Sequence, residues 1–359
     1  MPAILEVENL VKKYGNIEVV KGLNFSVQEG EVFGLLGPNG AGKTQTISML
    51  TGVVTPTSGT ARIGGYDLHT QMKKVKEING LVPQDLALYP TLSARANLNF
   101  FGRIYGLRGK QLKERVDDVL HVVALTERAD QAVEKYSGGM KRRVNIAAGL
   151  VHQPRLLFLD EPSVGVDPQS RNQIFESVQR LNRERGMSVV YTSHYMEEVE
   201  LLCNRVAIVD QGKIIALDTI KNLTALLGGG VIYVGLETVD ENTLAALKAL
   251  PAVKDVELVP PPVNPPLGEA GVQGEQAKKA PKGGAKGALD ATPDTAVRDE
   301  IKQPSTSPLI KIVAEHNQMA VVNVIDYLNK NNLTLTSLEI LQPNLESVFL
   351  HLTGKKLRE

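Results

Sequence analysis

The chain has 359 residues, of which 42% are hydrophobic and 22% charged, and its length predicts two domains with a linker between them. Its 40 Lys and Arg balance 40 Asp and Glu, which removes the simplest electrostatic ground for broad nucleic-acid binding while leaving room for a local basic patch; no nucleic-acid partner is expected. The single cysteine, Cys203, excludes an internal disulfide and a cysteine cluster for zinc.

The chain opens Met1-Pro2-Ala3-Ile4, without the basic and apolar regions of a signal peptide, and no run approaches the ~18 apolar residues that a membrane span needs. A cytoplasmic location is expected. Ile4–Leu10 and Leu23–Val27 alternate apolar with polar residues and predict antiparallel strands with one wet face. Glu31–Leu36 is a short apolar run that predicts a buried strand, and Thr46–Leu50 begins a helix. Between them, Gly37-Pro38-Asn39-Gly40-Ala41-Gly42-Lys43-Thr44 fits the phosphate-loop pattern G-x-x-x-x-G-K-[ST]. The glycines let several backbone N–H groups point at one anion. Lys43 can reach the β- and γ-phosphates, the Thr44 hydroxyl can ligate Mg²⁺, and the helix end adds positive potential.

From Leu92 to Leu125 the periodic apolar positions Leu112, Val116, Val119, Leu120 and Val123 predict a helical subdomain inserted in an α/β core. Ser137-Gly138-Gly139, opening a helical run, offers a capped turn and an anion site alike. Arg155–Glu161 is an apolar run ending in two carboxylates, as a buried strand delivers acids to the C-terminal edge of a sheet. Strand alternation would send Asp160 and Glu161 to separate points, Asp160 toward Mg²⁺ and Glu161 toward the attacking water. Ser188–Tyr191 is another apolar strand, and Leu201, Leu202 and Val206 make Cys203 a plain buried thiol.

Gly228-Gly229-Gly230 punctuates the chain. Strands at Val231–Leu236 and Val253–Val259 flank a helix at Glu241–Leu250. A second set follows: strand Leu309–Val313, helix Met319–Asn329, strand Leu333–Leu341 and a last helix at Asn344–Leu352. Two β-α-β units predict a small ferredoxin-like α+β domain over residues 228–359, accessory or regulatory, after an α/β domain over residues 1–227. The intervening Pro260–Pro308 is rich in Pro, Gly, Ala and Lys and is expected to be disordered, with Lys278, Lys279, Lys282 and Lys286 in a solvated loop or, as the alternative, against an anionic membrane surface.

Taken in order, the phosphate loop, Ser137-Gly138-Gly139 and the strand ending in Asp160-Glu161 resemble the ATP-binding cassette (ABC) family over about residues 3–227. The resemblance implies a P-loop cassette fold with an antiparallel β subdomain and a helical subdomain. It implies further that Tyr14 stacks on adenine, that Gln84 contacts Mg²⁺ and the water, and that Asp167 reaches across a dimer interface. His194 would contact the γ-phosphate, and Gln45 closes the loop where the family often carries a second Thr or Ser. Tyr136 and Met140 replace the commoner Leu and Gln around the signature. These residues, Glu161-Pro162-Ser163-Val164-Gly165-Val166-Asp167 and the closing Pro343–Gly354 resemble ATPase subunits of drug- and lipid-type exporters.

The resemblance therefore implies an ATPase that binds ATP and Mg²⁺ with Lys43, Glu161 and His194 as catalytic residues and Thr44, Gln84 and Asp160 around the metal. Two copies would pair head to tail as a homodimer, each site being completed by Ser137, Gly138 and Gly139 of the other copy. Separate transmembrane permease subunits would hold the pair on the inner face of the cell membrane. A cassette ATPase acting on ribosomes, nucleic acid or assembly machinery is the alternative reading.

Overall fold

Strand β1 (Ala3–Tyr14) and strand β2 (Ile17–Gln28) pair as a long antiparallel hairpin, as their polar and apolar alternation requires. The computed structural model describes residues 2–227, 229–259, 308–341 and 343–354. After the hairpin come β3 (Val32–Leu36), α1 (Lys43–Leu50), β4 (Ser58–Ile63), β5 (Tyr66–Asp67), α2 (Met72–Ile78) and β6 (Asn79–Val82). Helices α3 (Ala94–Ile104), α4 (Gly109–Val122) and α5 (Gly138–Leu150) follow. The chain then alternates through β7 (Leu156–Asp160), α6 (Pro168–Arg185), β8 (Ser188–Ser193), α7 (Met196–Leu202), β9 (Arg205–Asp210), β10 (Lys213–Thr219) and α8 (Ile220–Ala225).

Strands β2-β1-β4-β5 make an antiparallel sheet. The larger sheet runs β10-β9-β3-β8-β7-β6 and is parallel except at the β10–β9 edge. Alternation along β7 divides two cores: Leu157 and Leu159 face the helices, whereas Leu156 and Phe158 face α1 and the antiparallel sheet. Each such fully buried side chain stabilises the fold by about 1.5–3 kcal/mol relative to exposure. On α4 the periodic positions Leu112, Val116, Val119 and Leu120 are buried, as the helical period predicts, and Val122 is buried with them.

The second unit contains β11 (Val231–Leu236), α9 (Glu241–Lys248), β12 (Val253–Val259), β13 (Leu309–Ala314), α10 (Asn317–Lys330) and β14 (Leu335–Leu341). Its sheet order is β12-β13-β11-β14 with every neighbouring pair antiparallel, which is the ferredoxin-like arrangement. Ile232, Val234, Ile310 and Ile312 on one face of this sheet cover Leu247, Val324 and Leu328 from the two helices. Residues 260–307, which include the expected disordered insertion and its four lysines, lie outside the described residues.

The last helix, α11 (Leu345–Thr353), differs from the expected division. The chain separates into Met1–Gly228 with Pro343–Glu359, and Gly229–Gln342. Leu345, Val348 and Phe349 recur at helical spacing and are buried in the helix-side core of the first unit, and the Leu345 N–H donates to Glu200 Oε1 at 2.6 Å. An accessory domain running unbroken from 228 to 359 is thus corrected: its last helix belongs with the cassette. Among the described residues no helix is long and apolar enough to cross a membrane.

Candidate functional site

Strand β3, buried along its full length, brings the chain to the C-terminal edge of the parallel sheet at Gly37. A Cβ on Gly37 would lie 2.1 Å from the carbonyl oxygen of Val209, so only glycine fits there. Gly40 and Gly42 take φ values of +80° and +101°, a region that favours glycine, and Gly42 caps α1. The loop curls around Lys43, which is 4% exposed. Its Nζ donates to the carbonyls of Gly37 at 2.7 Å and Pro38 at 3.1 Å. The N–H of Ala41 closes the curl onto the Pro38 carbonyl at 3.2 Å.

Strand β7 ends at Asp160, and the chain leaves it at Glu161 with a φ of 44°. Separation of the two carboxylates therefore comes from this left-handed turn and not from strand alternation, a correction to the sequence-based reasoning. One hydroxyl from β8 fixes both residues: Thr192 Oγ1 donates to Asp160 Oδ1 at 2.7 Å and accepts from the Glu161 N–H at 2.9 Å. Burial pushes the Asp160 carboxyl above its usual range, while hydrogen bonds from the Thr192 and Thr44 hydroxyls pull it partly back. Glu161 Oε1 lies 3.1 Å from Lys43 Nζ, and Oε2 lies 3.2 Å from His194 Nδ1.

Asn39, Gly40, Gly42, Lys43, Thr44, Gln45, Gln84, Glu161 and His194 line one cleft of about 550 Å³, with Val19, Val164 and Tyr195 completing its wall. Tyr14 is exposed beside it. Its hydroxyl donates to Gln45 Oε1 at 3.0 Å, and Lys12 Nζ sits 4.8 Å from its ring centroid. Gln84 follows β6 on an exposed loop that α5 clamps from beneath. The Pro83 carbonyl accepts from Arg142 at 3.0 Å and from Asn145 Nδ2 at 3.2 Å, while Asn145 Oδ1 accepts from the Ala87 N–H at 3.2 Å. Sequence reasoning missed Arg142, Asn145 and Thr192. The available signal was a set of polar side chains inside otherwise buried elements, which end up nearly inaccessible.

Tyr14, Gly37, Pro38, Ala41 and Asp160 stand next to residues that line this cleft without lining it themselves, and Ser137, Gly138, Gly139 and Asp167 lie on other elements. Ser137 Oγ caps α5 by accepting from the Met140 N–H at 3.2 Å, and Asp167 Oδ1 caps α6 by accepting from the Ser170 N–H at 2.9 Å. The Ser170 backbone bond holds the Asp167 carboxyl below its usual range. A Cβ on Gly139 would come within 2.0 Å of Ser170 Oγ and 3.5 Å of Asp167 Oδ2, and one on Gly138 would have Gly165 O at 3.9 Å as its nearest neighbour. The two helix N-termini thus stand together, with Ser137, Gly138 and Asp167 exposed. Another cleft, of about 610 Å³, holds Arg155 and Arg185, but these are engaged in ion pairs with Glu29 and Asp118.

A family described as ABC transporter matches residues 20–164. The chain is 43% identical over 357 residues to the linearmycin resistance ATP-binding protein LnrL of Bacillus subtilis strain 168, covering 99% of this chain and 100% of that protein. Identity is 41% over 230 residues to the daunorubicin resistance ATP-binding protein DrrA2 of Streptomyces coeruleorubidus, covering 64% and 71% of the two chains. Among solved structures, cbiO1 from Clostridium perfringens, part of the ABC transporter complex cbiONQ, matches with a TM-score of 0.58 and 29% identity over 63% of this chain and 92% of that one. Likeness to LnrL across both full lengths, joined to a phosphate loop at the end of β3 and paired carboxylates at the end of β7, places this chain in the ABC transporter family as an ATP-binding and ATP-hydrolysing subunit.

Proposed function

We propose that this chain powers an exporter as a homodimer whose two ATP sites are each shared between copies. The observation that supports this is the sorting of the expected site residues into two groups. Lys43, Thr44, Gln84, Glu161 and His194 share a cleft, whereas Ser137, Gly138 and Asp167 form a separate exposed cluster at two helix N-termini. Exposed N–H groups at a helix start favour an anion, and a second copy would bring one.

In this reading Lys43 and the loop N–H groups bind the β- and γ-phosphates. Glu161 takes a proton from the attacking water, and His194 orients the γ-phosphate. Thr44, Asp160 and Gln84 would hold Mg²⁺, which supplies charge neutralisation at the phosphates. The donor set fits such an ion. Thr44 and Gln84 line one cleft and the Thr44 hydroxyl hydrogen-bonds to Asp160, so the donors are oxygens, which a hard cation such as Mg²⁺ prefers. Burial pushes the Asp160 carboxyl upward, and a cation beside it would favour its charged form.

The exporter assignment is supported by the relatives' names, which specify resistance to linearmycin and daunorubicin. Membrane permease subunits would pair with the cassette at the inner face of the cell membrane. The apolar groove of about 800 Å³ bordered by Val53, Met72, Leu81, Ile104 and Tyr105 suits a short helix from such a partner.

The test is Glu161→Gln in the full chain. With ATP and Mg²⁺ it should turn over poorly and elute at twice its monomer mass, whereas a variant that hydrolyses normally and stays monomeric refutes the reading. Purification from detergent-solubilised membranes should recover a multi-span partner; recovery of ribosomes or nucleic acid instead would favour the non-transport alternative.

A further inference from the structure

Glu198 sits on α7, four residues after His194, and is 2% exposed. A buried carboxylate is costly to desolvate, and this one is met by an unusual number of donors. Its Oε2 accepts from Ser163 Oγ at 2.8 Å, Ser193 Oγ at 2.9 Å and the Tyr191 hydroxyl at 3.0 Å. Its Oε1 lies 3.9 Å from Nε of Arg171, a charge contact too long for a hydrogen bond. Arg171 in turn lies over the Tyr195 ring, 5.6 Å from its centroid. Burial pushes the Tyr191 phenol well up, which keeps it a donor.

We propose that Glu198 is a positioning residue for hydrolysis, fixing the loop that carries Glu161 and the loop that carries His194 in one register. Its tethers fall where such a task needs them. Ser163 follows Glu161 by two residues. Ser193 immediately precedes His194, and its Oγ also accepts from the N–H of Tyr195 at 2.9 Å, so the histidine is pinned on both sides. Arg171 lies in the first turns of α6, just beyond Asp167. A single carboxylate thus gathers the segment from Glu161 to Arg171 at both ends and the His194 turn between them. Packing alone would be served by an apolar side chain, because a buried charge is weak support for stability. Geometry at a reacting centre is different, since a misplacement of about 1 Å can cost about 100-fold in rate.

The inference rests on the roles proposed above for Glu161 and His194. Its test compares Glu198→Gln, Ser193→Ala and the double variant in the full chain, with Glu161→Gln measured alongside. Glu198→Gln and Ser193→Ala should each lower kcat about tenfold while ATP affinity changes less than about twofold, and the double variant should lose less than the product of the two. Each should keep a thermal midpoint above the assay temperature, and Ser193→Ala, which leaves the carboxylate two hydroxyl donors, guards against misfolding of the other variant. Multiplicative losses, an equal loss of ATP affinity, or a kcat that falls only with the folded fraction would overturn the proposal. If Glu161→Gln is slow and Glu198→Gln is normal, only this inference fails; if Glu161→Gln turns over normally, the reading of the site fails and takes this one with it.

Discussion

Lys43 Nζ and Glu161 Oε1 are 3.1 Å apart and both side chains are nearly inaccessible to solvent. The Lys43 ammonium donates to the Gly37 and Pro38 carbonyls and faces the Glu161 carboxylate as an ion pair. A phosphate entering the loop must compete with these acceptors, and the charged one is the strongest competitor.

Replacing that competitor separates binding from turnover. Glu161→Gln keeps the shape but removes the negative charge beside Lys43. ATP binding should tighten by about tenfold, equivalent to ~1.4 kcal/mol, while turnover falls by about 10²–10⁴-fold through loss of the base. Titration calorimetry and phosphate release measure the two effects. Unchanged affinity would show that the ion pair does not oppose nucleotide.

Two adjacent glycines should respond differently to alanine. At Gly139 a Cβ would lie 2.0 Å from Ser170 Oγ and 2.1 Å from its Cβ, so α5 and α6 must move apart. Gly139→Ala is expected to cost about 1–3 kcal/mol of stability, as overpacking usually does. At Gly138 the nearest neighbour is 3.9 Å away, so Gly138→Ala should leave the thermal midpoint unchanged. If the shared-site reading holds, it should still reduce ATPase activity, because the crowding would be felt by the approaching copy. Full activity of Gly138→Ala argues against such close approach.

Much of this site was legible in the chain because it is built from backbone conformations with few solutions. Gly40 and Gly42 announce positive φ, Lys43 and Thr44 follow at fixed spacing, and the unbroken apolar run along β7 marks a buried strand. What stayed hidden depends on side chains that meet from distant segments. The turn at Glu161 is held by Thr192 from β8, and the Gln84 loop is held by Arg142 and Asn145 from α5. No local pattern encodes those bonds. In the second unit, two β-α-β segments sufficed for the sheet order, but nothing local indicated that α11 would return to the cassette.

His152 offers a pH test of the cassette core. Its Nε2 lies 2.8 Å from the Asn79 carbonyl, its ring stacks on Tyr105 at 3.6 Å, and burial pushes its pKa below the usual imidazole value. Below the unfolded value of 6.5 the unfolded chain therefore binds more protons than the folded one. Stability contributed by neutral His152 is present above that pH and is lost as pH falls toward the folded pKa, at no more than ~1.4 kcal/mol per pH unit. Chemical denaturation at about pH 7.5 and about pH 5.5 should show a smaller loss for His152→Gln than for the unsubstituted chain. Equal losses would mean that this ring does not govern the acid response.

The return of α11 makes the stability of the cassette depend on residues beyond its nucleotide motifs. Phe349, Val348 and Leu345 are buried in the same core as Val199 and Leu202 of α7 and Leu223 of α8, and Glu200 of α7 accepts from the Leu345 N–H. Phe349→Ala is expected to cost about 3–5 kcal/mol, and the loss should fall on the first unit. Hydrogen exchange should therefore quicken in α7 and α8 while β11 and β13, which draw their burial from Ile232, Val234, Ile310 and Ile312, keep their protection. The reverse pattern, with β11 and β13 opening and α7 unaffected, would return α11 to the second unit. Because α7 also carries Glu198 and follows His194, loosening α11 should lower kcat before it abolishes folding, so ATPase assays below the unfolding transition give a second readout of the same connection.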